Sequence, residues 1–116
     1  MAEPVYKVLT EAAFSEAKRE RRFAGSADDL RDGFIHLSAK QQLPGTLATH
    51  FRGQAGLVLV AIDADRLGHD LKSEASRGGA LFPHLYATLD FAAVLWAETL
   101  PFGDDGSHVL PEGVAA

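Results

Sequence analysis

The run Leu57-Val-Leu-Val-Ala-Ile62 constrains the fold more than any other segment of the chain. Six apolar residues follow one another between Gly56 and Asp63, a length that suits a strand better than a helix. A strand with one face in water would alternate apolar and polar residues, so an unbroken run indicates burial on both faces. The sequence therefore predicts a strand at the centre of the sheet, with other elements packed on each side.

Local patterns predict the remaining elements. A β-type run covers Val5 to Leu9, and Thr10 caps a helix from Glu11 to Arg22, which Gly25 ends. The further predicted elements are a short helical turn capped by Ser26 with Asp29, a strand from Phe34 to Ser38, a broken helix over 39–52, a helical turn from Ala64 to Leu67, an edge strand from Leu71 to Ala75 and a last strand from Ala93 to Leu100.

Strands outnumber helices in this reading, and the helices lie mainly in the N-terminal half. This order predicts a small α+β domain with a mixed or antiparallel sheet. The strand–helix–strand–helix opening leaves a doubly wound parallel sheet as the alternative. The length of 116 residues with 47% hydrophobic residues predicts a single domain over 1–116, with a loop-like tail over 101–116.

Charge and composition limit the classes of function. The formal net charge of −5 argues against broad electrostatic capture of nucleic acid or of an anionic membrane, because both depend on clustered lysine and arginine. The chain has no cysteine, which excludes disulfides, thiolate nucleophiles and cysteine-bound metals. Without a signal-peptide pattern, and without an apolar run near the ~18 residues of a spanning helix, we expect a cytoplasmic protein.

A first polar island lies in Asp32-Gly-Phe-Ile-His-Leu-Ser38. In strand geometry Ile35 and Leu37 share one face, while His36 and Ser38 share the other. If the apolar pair faces the core, the imidazole and the hydroxyl project together, so His36 is a candidate catalytic residue and Ser38 a candidate ligand-binding residue. The structural alternative is a half-buried histidine that is hydrogen-bonded to a backbone carbonyl.

A second polar island spans residues 74–87 around a glycine pair. Arg77 precedes Gly78 and Gly79, where backbone N–H groups can approach an anion closely and a guanidinium can add a two-pronged contact. Arg77, Gly78 and Gly79 are therefore predicted to bind phosphate or carboxylate. The alternative is a plain turn in which Arg77 pairs with Glu74.

The second island continues through Phe82-Pro-His-Leu-Tyr86. If this segment is extended, His84 and Tyr86 share a face. His84 could then transfer a proton, while Phe82 and Tyr86 bind a ligand by stacking or hydrogen bonding. Glu74 is the carboxylate nearest in sequence and is the candidate general base or hydroxyl ligand. In the structural alternative, the aromatic residues pack this segment onto the sheet.

Several well-known signatures do not occur in the sequence. It contains no nucleophile elbow, no dinucleotide-binding glycine pattern and no aromatic-basic RNA motif. Its five histidines show none of the spacings of zinc ligands, and no metal site is predicted.

Taken in order, seven segments make the chain resemble the domain-of-unknown-function 952 family, which consists of small, mainly bacterial proteins. The segments are Tyr6-Lys7, Gly25-Ser-Ala-Asp-Asp-Leu30, Asp32-Gly-Phe-Ile-His-Leu-Ser38, His50-Phe51, Glu74, Ser76-Arg-Gly-Gly79 and Phe82-Pro-His-Leu-Tyr86. The resemblance implies a fold similar to that of ADP-ribosyltransferases, a small α+β sheet with a cleft for a nicotinamide dinucleotide. It brings no assigned activity, and fold-level analogy alone does not establish function.

The resemblance also bears on the cofactor. RNA 2′-phosphotransferases of that superfamily carry an Ile-His-Leu-Ser-like segment, which Ile35-His-Leu-Ser38 resembles. They also carry an aromatic-His-Gly-Thr segment on the first strand, whereas here Tyr6 is followed by Lys7 and Val8. Because the histidine and glycine that seat the dinucleotide are absent, NAD is not the expected cofactor.

The expected function is a cleft for a nucleotide or another phosphorylated small molecule, in a group-transfer enzyme distantly related to ADP-ribosyltransferases and RNA 2′-phosphotransferases. The expected partner is thus an anionic or nucleotide-like small molecule. The alternative is a non-catalytic ligand-binding or interaction module with the same cleft. The density of titratable groups favours the enzyme, and the departure at Lys7 favours the module.

Overall fold

The computed structural model describes residues 3–76 and 79–114. Its strands are β1 Val5–Thr10, β2 Arg22–Phe23, β3 Ile35–His36, β4 Leu57–Ile62, β5 Leu71–Ala75, β6 Leu81–Leu85, β7 Leu89–Asp90 and β8 Val94–Leu100. Its α-helices are α1 Glu11–Glu20, α2 Ala27–Asp32, α3 Leu43–His50 and α4 Ala64–Leu67. Short 3-10 turns occupy Lys40–Gln42, Gly68–Asp70 and Phe91–Ala93.

All strand pairs in the described part of the chain are antiparallel. They form one sheet in the order β1-β4-β8, a second in the order β3-β6-β5 and a two-stranded pair, β2-β7. Reciprocal backbone hydrogen bonds between Tyr6 and Ser38 join the first sheet to the second. The α+β class with antiparallel sheets is therefore confirmed, and the doubly wound alternative is wrong.

β4 has the predicted position and burial. It lies between β1 and β8, and all six of its residues are buried. Val58, Val60 and Ile62 belong to one hydrophobic cluster, which the second sheet and α1 also line. Leu57, Leu59 and Ala61 belong to a second cluster, which includes Leu43 and Leu47 of α3. The unbroken apolar run thus reflects a strand between two cores.

α1 begins as predicted but ends earlier. The Thr10 hydroxyl accepts a hydrogen bond from the N–H of Ala13 at 3.1 Å. The predicted end at Arg22 is wrong, since the helix ends at Glu20 and Arg21 adopts a left-handed conformation with φ 64°. The next residues leave the helix because Phe23 is buried and pairs with Leu89 in a strand. Tertiary pairing outweighs helix propensity here.

Two other helical predictions are confirmed. The Ser26 hydroxyl accepts from the N–H of Asp29, and the Asp29 carboxylate accepts from the N–H of Ser26 at 2.9 Å, which forms the capping box of α2. Within 39–52, a 3-10 turn over Lys40–Gln42 precedes α3, whose first turn contains Pro44. Proline suits this position because no helical partner is lost.

The predicted strand Phe34–Ser38 is shorter in the structure. Only Ile35 and His36 form β3, after which the chain leaves β6 and Ser38 pairs with Tyr6 of β1. The predicted alternation still holds, since Ile35 and Leu37 are both buried in the first cluster.

The C-terminal half contains a strand that was not predicted. β6 includes Pro83, which cannot donate a ladder hydrogen bond and therefore argues against a central strand. The carbonyl of Pro83 can still accept, and it takes a hydrogen bond from the N–H of Leu37 at 3.0 Å. β8 begins at Val94, because Ala93 belongs to the preceding 3-10 turn. Over 101–114 the tail forms no regular helix, but its Val114 is buried in the second hydrophobic cluster.

No helix among residues 3–76 and 79–114 combines the length and the apolar character needed to cross a membrane.

Candidate functional site

The two polar islands meet on one face of the second sheet. His36 of β3 and His84 of β6 are directly paired residues, and their ring centroids lie 5.8 Å apart. Because side chains alternate along a strand, Ile35 and Leu85 point from the same strands into the first core cluster. The core thus fixes which face carries the two histidines.

His84 is the most enclosed polar group on this face, with 5% of its surface exposed. Its Nδ1 lies 2.8 Å from Oε1 of Glu74, and its ring stacks on Phe34 at a centroid distance of 4.0 Å. Nε2 of His84 has no hydrogen-bond partner among the described residues. No fully buried side-chain nitrogen or oxygen of these residues lacks a hydrogen bond. His84 lines the cleft, and Nε2 is the ring nitrogen that Glu74 does not occupy.

Glu74 is held by a second donor. The Tyr86 hydroxyl donates to the same Oε1 at 2.7 Å. This hydrogen bond and the one from His84 lower the pKa of Glu74, while the bond to Glu74 raises the pKa of Tyr86. Glu74 is accordingly a carboxylate at neutral pH, and Tyr86 remains a donor. A carboxylate on one imidazole nitrogen leaves the other nitrogen ready to accept a proton.

His36 has both ring nitrogens occupied. Nδ1 lies 2.6 Å from Oδ1 of Asp29, and Nε2 lies 2.9 Å from Oδ2 of Asp32. Its backbone N–H also donates to Oδ1 of Asp29 at 3.0 Å. The two contacts fasten β3 to Asp29 and Asp32 of α2.

Asp29 anchors the network below His36. It is 2% exposed, and its carboxylate contacts Nζ of Lys7 at 3.0 and 3.2 Å. Nζ also donates to the carbonyl of His36 at 2.9 Å. Burial alone would raise the pKa of Asp29, but Lys7 and the hydrogen bonds from His36 and Ser26 outweigh burial and lower it. Burial lowers the pKa of Lys7, although Asp29 opposes that shift.

A cleft of about 1140 Å³ opens beside this network. Its walls come from β1, from α2, from β3 with Ser38, and from one side of α3. The α3 wall carries Thr46 and Thr49, and the Thr46 hydroxyl lies 2.9 Å from that of Ser38. The cleft is large enough for a ligand of nucleotide size, and both hydroxyl groups and the carboxylates of α2 line it.

The structure brings together most of the residues that the sequence singled out. His36, Ser38, Phe82 and His84 line the cleft, whereas Glu74 and Tyr86 stand behind His84 and act on the cleft through it. Gly79 lies in an exposed turn with φ 82°, where its N–H donates to the carbonyl of Ser76 at 2.9 Å. Arg77 and Gly78 lie outside the described residues.

Sequence reasoning missed four residues of this site, namely Lys7, Asp29, Asp32 and Phe34. The sequence identifies Asp29 as a helix cap, a role that leaves one carboxylate oxygen for other partners. The signal for the two aspartates is their spacing from His36, which follows Asp32 by four residues and Asp29 by seven. Among the described residues, no group of three or more histidine and acidic side chains is arranged to hold a metal ion.

The same fold occurs in solved structures. A crystal structure of protein CC0527 from Caulobacter crescentus is 51% identical to this chain, has a TM-score of 0.90 and aligns over 97% of this chain and 99% of that chain. A crystal structure of a double mutant of CC0527 is 50% identical, with a TM-score of 0.89 and the same coverage. A solution NMR structure of CC0527 is 54% identical, with a TM-score of 0.81 and 90% of each chain covered.

A comparison with curated proteins found no match. The sequence profile of a family described as protein of unknown function, DUF952, matches residues 8–97. This match covers most of the chain and contains the whole of the second sheet, with both histidines and Glu74. The chain therefore belongs to the DUF952 family.

Proposed function

We propose that the cleft binds a nucleotide or another phosphorylated small molecule, and that His84 is the general acid and base of a group-transfer reaction on it. The carrying observation is the pairing of Nδ1 of His84, a residue of the cleft lining, with Glu74, which leaves Nε2 for a ligand. A buried imidazole that is oriented by a carboxylate is a common general base, because its tautomer is fixed.

In the proposed reaction, Nε2 of His84 takes the proton from the hydroxyl of the acceptor. The acceptor oxygen bonds to the transferred phosphoryl or ribosyl group, and the bond between that group and the leaving group breaks. The leaving group takes the electron pair of that bond and receives the proton from Nε2. Glu74 stabilises the imidazolium that forms between these two steps.

The cleft lining supports a polar ligand. Ser38 and Thr46 offer hydroxyls for ribose or sugar hydroxyls, and Phe82 offers an aromatic surface for a base. Arg77 is the anion anchor in this proposal, as the sequence predicts, whereas the N–H of Gly79 is already bonded to Ser76. The proposal keeps the distant relationship to ADP-ribosyltransferases and RNA 2′-phosphotransferases as an inference from resemblance, for a cytoplasmic protein.

His36 has a different role in this proposal from the one its sequence motif suggested. Acid-base work by His36 requires one carboxylate to move away, since Asp29 and Asp32 occupy both nitrogens. We therefore assign the proton transfer to His84 and the positioning of β3 to His36.

A non-catalytic ligand-binding module is the second candidate. The observation that favours it is the internal pairing of Lys7 and His36 with Asp29 of α2. These groups hold the cleft wall together, and a sensor needs no proton transfer.

A ligand panel separates the two candidates. Thermal shift and calorimetry with NAD, ADP-ribose, nucleotides and sugar phosphates should find a member that stabilises the protein by about 2.7 kcal/mol at 100 times its Kd. With that ligand and an acceptor, turnover should fall at least ~100-fold in His84→Gln, as expected for a lost general base. The ligand Kd should stay within about threefold, and the exposed His69→Gln should match wild type.

The outcomes are distinct. Saturable binding without turnover would support the binding module and contradict the proposed enzyme. If His84→Gln kept the turnover of wild type, His84 would not be the general acid and base. A panel without any saturable binding would contradict the proposed ligand class.

A further inference from the structure

A second cavity lies on the opposite side of α3 from the cleft. It measures about 890 Å³ and runs between α3 and the segment 105–114. Pro44 and Ala48 face it, whereas Thr46 and Thr49 face the cleft. At 100° per residue these two pairs lie on opposite sides of the helix. We call this second cavity the tail groove.

The walls of the tail groove are mainly apolar. Leu47 and Val114 form its base and belong to the second hydrophobic cluster. Val109, which is 46% exposed, lies on the tail side. A concave apolar surface with a few polar groups at its ends has the form of a small-molecule site, and its volume falls in the usual range.

The charged groups at the ends of the groove are not equivalent. Asp105 is turned toward its own loop, where Oδ1 accepts from the N–H and the hydroxyl of Ser107 at 3.0 and 2.7 Å. His108 is bonded through Nε2 to the carbonyl of Gln54 at 2.7 Å. Arg52 contacts the Ala48 carbonyl through Nε at 3.4 Å and makes no salt bridge within residues 3–76 and 79–114.

The position of Arg52 leaves its two terminal nitrogens for a ligand. With Nε held against the end of α3, the guanidinium can present two parallel N–H groups, a geometry that matches a carboxylate. Lys40 lies in the 3-10 turn before α3 and Arg52 lies beyond its last residue, so the eight residues of α3, roughly 12 Å of helix, stand between the two cations. One carboxylate can therefore reach only one of these cations.

We propose that the tail groove binds a small amphipathic carboxylate, with its apolar chain along Pro44, Ala48 and Val109 and its carboxylate on Arg52. An eight-carbon chain is about as long as α3, whose eight residues span roughly 12 Å. This proposal concerns a separate cavity and does not depend on the reaction assigned to the cleft.

The test is a titration of the full chain with octanoate, followed by amide NMR. Saturable shifts should appear at Ala48, Val109 and Leu110. 1-Octanol should bind the same residues about fivefold more weakly, since a single exposed charge contact contributes up to ~1 kcal/mol. In Arg52→Gln, the affinity for octanoate should fall about fivefold and equal the affinity for octanol. In Lys40→Gln, the affinity for octanoate should match that of wild type.

Three results would each overturn the proposal. These are the absence of saturable shifts with octanoate, equal octanoate affinity in Arg52→Gln and wild type, or a loss in Lys40→Gln as large as that in Arg52→Gln. Both substitutions change only the charged ends of the groove and leave the buried base intact, so the folded protein remains available for comparison.

Discussion

Glu74 contacts His84 across two strands although the two residues are not directly paired. Lys72 is the residue opposite His84 in the β5–β6 register, and Glu74 is opposite Phe82. Oε1 of Glu74 nevertheless lies 2.8 Å from Nδ1 of His84, a diagonal contact that long side chains can make across antiparallel strands. This diagonal holds Nδ1 of His84 on the carboxylate and leaves Nε2 as the unoccupied ring nitrogen among the described contacts.

Tyr86→Phe should raise the pKa of Glu74. The Tyr86 hydroxyl is the strongest influence that lowers this pKa, ahead of the hydrogen bond from His84, and phenylalanine has no hydroxyl to donate. Carbon-13 NMR of the Glu74 carboxyl across a pH series measures the change directly. Ser73→Ala is the matched control on the same strand and should leave the titration unchanged. A Tyr86→Phe titration that overlays wild type would remove Tyr86 from the network.

Asp29→Asn should destabilise the fold by about 3–5 kcal/mol, because it leaves the ammonium of Lys7 buried without its counter-charge. Lys7 has 11% of its side chain exposed, so water cannot replace the lost carboxylate. Asp28→Asn on the exposed side of the same helix is the control and should cost less than about 1 kcal/mol. Urea unfolding of the three proteins gives the comparison. Equal losses in both variants would show that the Lys7–Asp29 pair adds no specific stability.

Acid should lower the unfolding free energy of the wild-type protein more than it lowers that of the Asp29→Asn variant. The pKa of Asp29 is lower in the folded chain than the ordinary ~3.9. Its contribution to the unfolding free energy is therefore complete above that ordinary value and is lost as pH falls through the folded-state value. Unfolding free energies measured between about pH 2 and pH 7 should converge for the two proteins at the acid end. Parallel curves would contradict the depressed pKa.

The sequence predicted the face of β3 correctly but not its partner. Alternation of Ile35 and Leu37 with His36 and Ser38 is a local property, and the core enforces it. The pairing of His36 with His84 is a long-range property, and Pro83 in β6 obscured it by making a central strand look improbable. Proximity of the two islands could be proposed from their chemistry, whereas their register required the fold.

The Asp29 network could not be derived from sequence spacing alone. A capping aspartate uses Oδ2 on the N–H of Ser26, which the sequence predicts. Its Oδ1 also contacts His36, 7 residues later in the chain, and Lys7, 22 residues earlier on β1. In the sequence, Lys7 departs from the first-strand motif of the phosphotransferases. In the structure, this ammonium is the counter-charge of a buried carboxylate.

NAD should bind weakly, with a Kd of about 1 mM or higher. Nζ of Lys7 is engaged by Asp29 and by the carbonyl of His36, so it is not free to hold a dinucleotide, and Val8 adds bulk where glycine would allow close approach. Calorimetry with NAD measures this affinity, with an assay for nicotinamide release. A micromolar Kd with turnover that disappears in His36→Ala would contradict the prediction.

The tautomer of His84 tests the central claim most directly. Long-range proton–nitrogen NMR of the imidazole rings at pH 8.5, where an ordinary histidine is neutral, distinguishes a proton on Nδ1 from one on Nε2. The contact with Glu74 predicts that Nδ1 carries the proton and that Nε2 is bare, and that Glu74→Gln weakens this preference. A proton on Nε2 with a bare Nδ1 in the wild-type protein would contradict the assignment of His84 as the base that faces the cleft.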